Sequence, residues 1–180
     1  MSTLGEPMRQ HRFLTALQRH VPALPWIDAV LVIGSLAAGG GDGASDVDLL
    51  VCLRDGTFDL AWRHRHDLHA TDAVLDWDHW LNQANAAGTH KWLTADFVLV
   101  ETLIAEPSSG VRLAPSWRVL AGDQAAGRRW PPRPPISAAE LRADPEQLHP
   151  IEAAYDRFKR DLRRAATSTA ATAEDDDVSQ

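Results

Sequence analysis

A single cysteine, Cys52, stands among 180 residues, which excludes an intramolecular disulfide framework and a cysteine-built zinc site. No run reaches the roughly 18 apolar residues that a membrane-spanning helix needs. The opening stretch MSTLGEPMRQHRF lacks an apolar h-region, so no secretory signal is expected and the reading is a cytoplasmic protein without a membrane partner. Basic residues are in deficit, 18 Lys+Arg against 25 Asp+Glu, for a formal net charge of −7. A net-acidic chain is a poor default candidate for duplex nucleic-acid binding, which needs a basic face to neutralise phosphates, so nucleic acid is not an expected partner. What is present is ordinary for a folded protein: 44% hydrophobic and 24% charged residues, in a length that suits one domain with a modest appendage.

The negative charge is concentrated at one end. Beyond Arg164 the chain reads TSTAATAEDDDVSQ, and Glu174, Asp175, Asp176 and Asp177 supply four of the seven net charges. A segment of Ala, Thr, Ser and Asp buries too little apolar area to offset its ordering entropy, so 167–180 is expected to be a disordered acidic tail.

Elsewhere the pattern alternates between helix and strand signals. Pro7 suits a helix start, Leu14, Leu17 and Val21 recur at helical spacing, and Pro22 and Pro25 end that helix. WIDAVLVIG then reads as a buried strand ending at Gly34, followed by a glycine-rich connection and a second strand, DVDLLVCL. Residues 58–70 read as helix, 71–90 are ambiguous, and KWLTADFVLVETLIA (91–105) is expected to form one long strand. SWRVL suggests a short fourth strand. PPRPP (131–135) reads as a stiff linker, Ser137-Ala-Ala-Glu140 as a capping box, and the stretch from Pro150 as a last helix. The order implies an α/β or α+β class, with a main domain at 1–130 and a helical segment at 136–166.

The chemistry-bearing stretch is IGSLAAGGGDGASDVDLLVCL, residues 33–53. Gly34-Ser35 ends an apolar strand with a small hydroxyl and accessible backbone N–H groups, a natural phosphate cradle. After ten intervening residues come Asp46 and Asp48, whose two-residue spacing in a strand points both carboxylates one way. Adjacent carboxylates repel unless a cation holds them, and oxygen-only donors suit Mg²⁺ bound together with substrate phosphates. A P-loop reading fails because Gly40-Gly41 stand where lysine and a hydroxyl are needed. A Rossmann reading fails because the glycines do not follow a strand directly.

The Gly34-Ser35 pair, followed by Asp46-Val47-Asp48 among apolar residues, resembles the signature of the DNA polymerase β-type nucleotidyltransferase superfamily. It is especially similar to the small bacterial branch of aminoglycoside and lincosamide nucleotidyltransferases and minimal nucleotidyltransferase antitoxins. The resemblance spans about 26–123 and is specific at 33–53; Ala38 departs from it, since relatives often carry Arg there. It implies a small mixed sheet flanked by helices, with a short C-terminal helical appendage. Gly34, Ser35 and Ser45 would bind the nucleotide, and Asp46 and Asp48 would hold two Mg²⁺ ions. A third carboxylate from a later strand is matched by Asp96 in ADFVLV; Glu101 is set aside because five residues along a regular strand reverses the face. The implied reaction is two-metal transfer of a nucleoside monophosphate, most simply AMP from ATP, to an acceptor hydroxyl. That acceptor would be a small molecule or a partner protein, and a homodimer or partner subunit would complete its site. The rival class is a module that binds nucleotide or partner without chemistry.

Other candidates read more simply. His64, His66, Asp67 and His69 crowd one segment, but only His66 and His69 share i, i+3 spacing, so a solvated face is expected. Asp76-Trp77-Asp78 repeats the Asp-x-Asp letters without a glycine cradle and reads as a surface loop. Trp77, Trp80 and Trp92 suit core packing or an acceptor pocket. Cys52 suits a small buried hydrophobe, and Arg128 and Arg129 are candidates to reach a triphosphate.

Overall fold

The structure is a computed structural model that describes residues 8–133, 150, 153–161 and 163–164. It divides into two units, Met1–Pro134 and Pro135–Gln180. Within the second, the described residues are helical, and Lys159 Nζ bonds Asp156 Oδ1 at 2.9 Å and sits over the Tyr155 ring. The sequence-based capping box at 137–140 and acidic tail at 167–180 lie outside the described residues. Among the described residues, no helix is long and apolar enough to cross a membrane.

The first unit begins with helix α1 (Met8–His20), closed by a 3₁₀ turn at Val21–Ala23 where Pro22 cannot extend the ladder. Strand β1 (Ile27–Ile33) follows, then a single helical turn α2 (Gly34–Ala37) and strand β2 (Val47–Leu53). Helix α3 (Phe58–Arg63) and a 3₁₀ turn at Arg65–Leu68 lead to β3 (Ala73–Asn82), β4 (Ala87–Thr94), β5 (Leu99–Ala105) and β6 (Trp117–Gly122). The six strands form one mixed sheet in the order β3-β4-β5-β2-β1-β6. Only β2 and β5 run parallel; the other neighbours are antiparallel. The mixed α/β class expected from the sequence is therefore observed.

The alternation of side chains along each strand sorts the sheet into two apolar faces. Val30, Val32, Val47, Leu49, Val100 and Ile104 pack beneath Phe13, Leu14 and Leu17 of α1. Ala29, Leu31, Leu50, Cys52 and Ala105 face the other way, onto Leu113, Ala126 and Trp130. Both β1 and β2 are almost fully buried, as their β-branched runs require. Each fully buried aliphatic side chain contributes about 1.5–3 kcal/mol.

Three sequence readings need correction. The stretch 91–105 is two strands rather than one, because residues 95–98 turn back on themselves. Thr94 closes that hairpin: its N–H donates to Val98 O at 3.0 Å, and its hydroxyl accepts from Val98 N–H at 3.1 Å. Phe97 sits at φ 57 with its ring exposed, so its strand-forming preference yields to the turn. The Asp76-Trp77-Asp78 stretch is part of β3 rather than a loop. The α-helix expected over 58–70 ends at Arg63, and a separate 3₁₀ turn follows.

Candidate functional site

The glycine-rich connection leaves β1 and enters β2, and the antiparallel pairing of those strands sets Ile33 opposite Asp48. Gly34 therefore arrives beside the Asp48 carboxylate. Its φ of +69 lies in the left-handed region, and a Cβ there would overlap Asp48 Oδ2. The backbone conformation favours glycine, and a Cβ would push the Asp48 carboxylate aside. Ser35, next in the chain, is exposed. Two of the sequence-derived elements, the Gly-Ser turn and the Asp-x-Asp strand head, are thus adjacent in space.

Register extends the site sideways. Asp48 pairs with Glu101 of β5 in the parallel ladder, and Glu101 pairs with Lys91 of β4, which pairs with Trp77 of β3. Neighbours in register share a face, so Asp48, Glu101 and Lys91 lie in one row on the side of the sheet away from α1. Lys91 Nζ donates to Glu101 Oε2 at 2.8 Å; the lysine side chain is only 9% exposed, the glutamate 44%. An ammonium laid along a sheet face needs a counter-charge, and the row supplies it. Asp46 lies one residue ahead of β2, half-buried.

The remaining predicted residues are placed differently. Asp96 sits in the β4–β5 turn, its side chain 59% exposed, and accepts a 3.0 Å bond from Arg12 of α1. It borders a cavity of about 330 Å³ between α1 and that turn, which neither Asp46 nor Asp48 lines. The turn also cancels the ground on which Glu101 was set aside, since 96 and 101 do not share a regular strand. Ser45 is buried, and its hydroxyl closes a loop: it accepts from Asp42 N–H and donates to Asp42 Oδ1, both at 2.8 Å. A second cavity, about 310 Å³, opens beside the glycine-rich loop between Leu36, Gly41, Gln10 and Arg118. Arg129 binds Asp28 at 2.7 Å and also pairs with Asp123. Cys52 is buried, and desolvation pushes its thiol up to about 12.

A second polar cluster occupies the α1 side of the same sheet. His90 of β4 is fully buried and its Nδ1 meets Asp78 Oδ1 at 2.9 Å. Arg65 holds both Asp78 oxygens, at 2.7 and 2.9 Å. Burial alone would raise the Asp78 carboxyl, but the bonds from Arg65 and His90 outweigh it and hold it below its ordinary value. His69 Nε2 lies 3.1 Å from His90 Nε2, and His66 Nδ1 lies 3.1 Å from Asp76 Oδ2. Burial lowers His90 from its ordinary value, and burial with the neighbouring His90 brings His69 down to about 4. Among the described residues, His66, His69, Asp76 and His90 are the group whose ligand atoms all lie within 4.8 Å of one another. Asp46, Asp48, Asp96 and Glu101 do not form such a group.

The sequence pattern reads His66 and His69 as a solvated face and Asp76-Trp77-Asp78 as a surface loop, and does not single out His90, Lys91 or Arg65. His90 comes 21 residues after His69, and only the β3–β4 hairpin joins them. The signal available was the alternation in His90-Lys91-Trp92, which separates imidazole and ammonium onto opposite faces. No protein-family model matches the chain, and no curated protein sequence matches it.

Proposed function

We propose that the chain is a Mg²⁺-dependent nucleotidyltransferase, with the corresponding fold, that moves a nucleoside monophosphate from a triphosphate, ATP in the simplest case, to an acceptor hydroxyl. The observation that carries this reading is the fit of Gly34 against the Asp48 carboxylate, with Glu101 in register alongside. A short letter string could fall anywhere in a fold; here its glycine is held by a left-handed φ and lies against the Asp48 carboxylate.

The donor chemistry suits a hard divalent cation, which would draw Asp46 and Glu101 in toward Asp48, since the three carboxylates do not by themselves form one close ligand group. Asp46, Asp48 and Glu101 offer only oxygen, which suits Mg²⁺ with water and phosphate completing the shell. When bound, Mg²⁺ neutralises charge on the phosphates and favours attack by the acceptor. Asp46 and Asp48 would hold the cation; Gly34 and Ser35 would seat the phosphates through backbone N–H groups and the serine hydroxyl. Glu101 replaces Asp96 as the third carboxylate, and its half-exposed position suits it to take the acceptor's proton. Lys91 positions Glu101 and balances the row before any cation arrives. Ser45 orders the loop that delivers Asp46 rather than touching nucleotide.

The test incubates the full chain with α-labelled ATP, GTP, CTP or UTP, Mg²⁺, and acceptors that include polyhydroxylated small molecules and proteins. Mg²⁺-dependent transfer to at least one acceptor, lost in Asp48→Asn, supports the reading. Absence of transfer for every pair, or equal transfer by Asp48→Asn, contradicts it and favours the non-catalytic module.

A further inference from the structure

We propose that His66, His69, His90 and Asp76 form a site for one borderline transition-metal cation of the Zn²⁺ type, separate from the carboxylate row and on the opposite face of the sheet. Three imidazole nitrogens and one carboxylate oxygen are a donor set for Zn²⁺ or Co²⁺ and a poor one for Mg²⁺. Their ligand atoms all lie within 4.8 Å of one another. Around a tetrahedral Zn²⁺ with bonds of about 2.0–2.1 Å, neighbouring donors stand about 3.3 Å apart. His69 Nε2 and His90 Nε2 are 3.1 Å apart, His66 Nδ1 and Asp76 Oδ2 also 3.1 Å, and His69 Nε2 and Asp76 Oδ2 4.0 Å.

What raises this above a chance gathering of histidines is the support behind it. A metal-binding imidazole commonly gives its other N–H to a carboxylate, which fixes the tautomer and the ring. His90 does this: Asp78 takes Nδ1, which turns the Nε2 lone pair toward His69. Arg65 in turn clamps Asp78 through a two-pronged pair, and its guanidinium lies over Trp62. The chain of Arg65, Asp78 and His90 is a supporting shell with no cation yet accounted for. Burial is graded across the ligands. His90 is buried completely and the His69 side chain is 14% exposed, whereas His66 is 48% and Asp76 38% exposed. An ion would enter from the His66 side and rest against the core.

The cation would staple the Arg65–Leu68 turn to the β3–β4 hairpin, adding to the Arg65–Asp78 and His66–Asp76 side-chain bonds between them. The experiment titrates untagged, chelator-stripped full-length protein with Co²⁺ and follows the visible d–d bands, then displaces Co²⁺ with Zn²⁺. One Co²⁺ per chain, with the intense bands of a tetrahedral site and loss on adding Zn²⁺, is expected, together with a rise in Tm. His66→Ala and Asp76→Asn, both at exposed side chains, should each weaken Co²⁺ binding and shift the visible bands, and the double variant should abolish saturable binding, while far-UV circular dichroism stays unchanged. Asp78→Asn should weaken binding about 10–100-fold. Asp48→Asn should bind Co²⁺ as the wild type does, which keeps this result independent of the nucleotidyltransferase reading. Absence of saturable binding, or binding that survives both His66→Ala and Asp76→Asn, would overturn the proposal.

Discussion

The two faces of one sheet carry two polar clusters of opposite construction. On the face away from α1, Asp48 and Glu101 are carboxylates set side by side by strand register, with a lysine as counter-charge. On the α1 face, His69 and His90 are stacked imidazoles backed by Asp78 and its arginine. The first cluster is hard, oxygen-rich and built next to the Gly34 turn. The second is nitrogen-rich and set against Trp92 and the core. A single backbone separates two donor chemistries because alternate side chains of β4, His90 and Lys91, point to opposite faces. The comparison predicts that each cluster selects its own kind of cation.

The largest effects should fall on the carboxylate row. Asp48→Asn and Glu101→Gln should each lower transfer about 10³-fold, since each removes a charge worth several kcal/mol to the transition state. Asp96→Asn should lower it less than about tenfold. Steady-state rates of the three variants rank the acids directly, and a larger loss at Asp96 than at Glu101 would restore the sequence-based assignment.

Gly34→Ala comes next. The left-handed backbone alone costs about 1–2 kcal/mol with a Cβ, and the overlap with Asp48 adds to it. Urea unfolding should show that loss, and transfer should fall further than stability does because Asp48 is displaced. An alanine variant of wild-type stability and activity would separate Gly34 from the site.

On the opposite face of β2 from Asp48, Leu49→Ala removes a fully buried side chain and should cost about 2–5 kcal/mol, leaving Co²⁺ binding stoichiometry intact in the folded fraction. The smallest effect concerns Cys52. Its thiol, raised to about 12 in the fold from an ordinary 9, keeps its proton where the unfolded chain would lose it. Between those values the folded state binds the extra proton, so this group's contribution to stability is intact below about pH 9 and declines toward pH 12. Alkylation at pH 9 should therefore be slow in the native protein and fast in urea; rapid native alkylation would contradict the burial.

The sequence made the local features legible and missed the assembled ones. Strands β1 and β2 are dense runs of buried β-branched and leucine residues, and their boundaries were readable to within a residue. Gly34, Ser35, Asp46 and Asp48 lie within fifteen residues, so one motif could hold them. The ground for setting Glu101 aside was a single strand through 91–105: Ala95–Val98 looks like strand by composition, while Thr94 and the positive φ of Phe97 make it a hairpin turn. The imidazole cluster draws on the Arg65–Leu68 turn and two hairpin strands. Its meeting depends on tertiary pairing, including the irregular register of β3 between Asp78 and Trp80, which no local pattern encodes.

The most direct test of the account is Mg²⁺–nucleotide binding, because it needs no knowledge of the acceptor. Calorimetry of the full chain with a non-hydrolysable ATP analogue should show saturable binding that requires Mg²⁺, is lost in Asp48→Asn and Glu101→Gln, and is retained in Asp96→Asn. Binding that is indifferent to Mg²⁺, undiminished in Asp48→Asn, or absent for every nucleoside triphosphate analogue would contradict it.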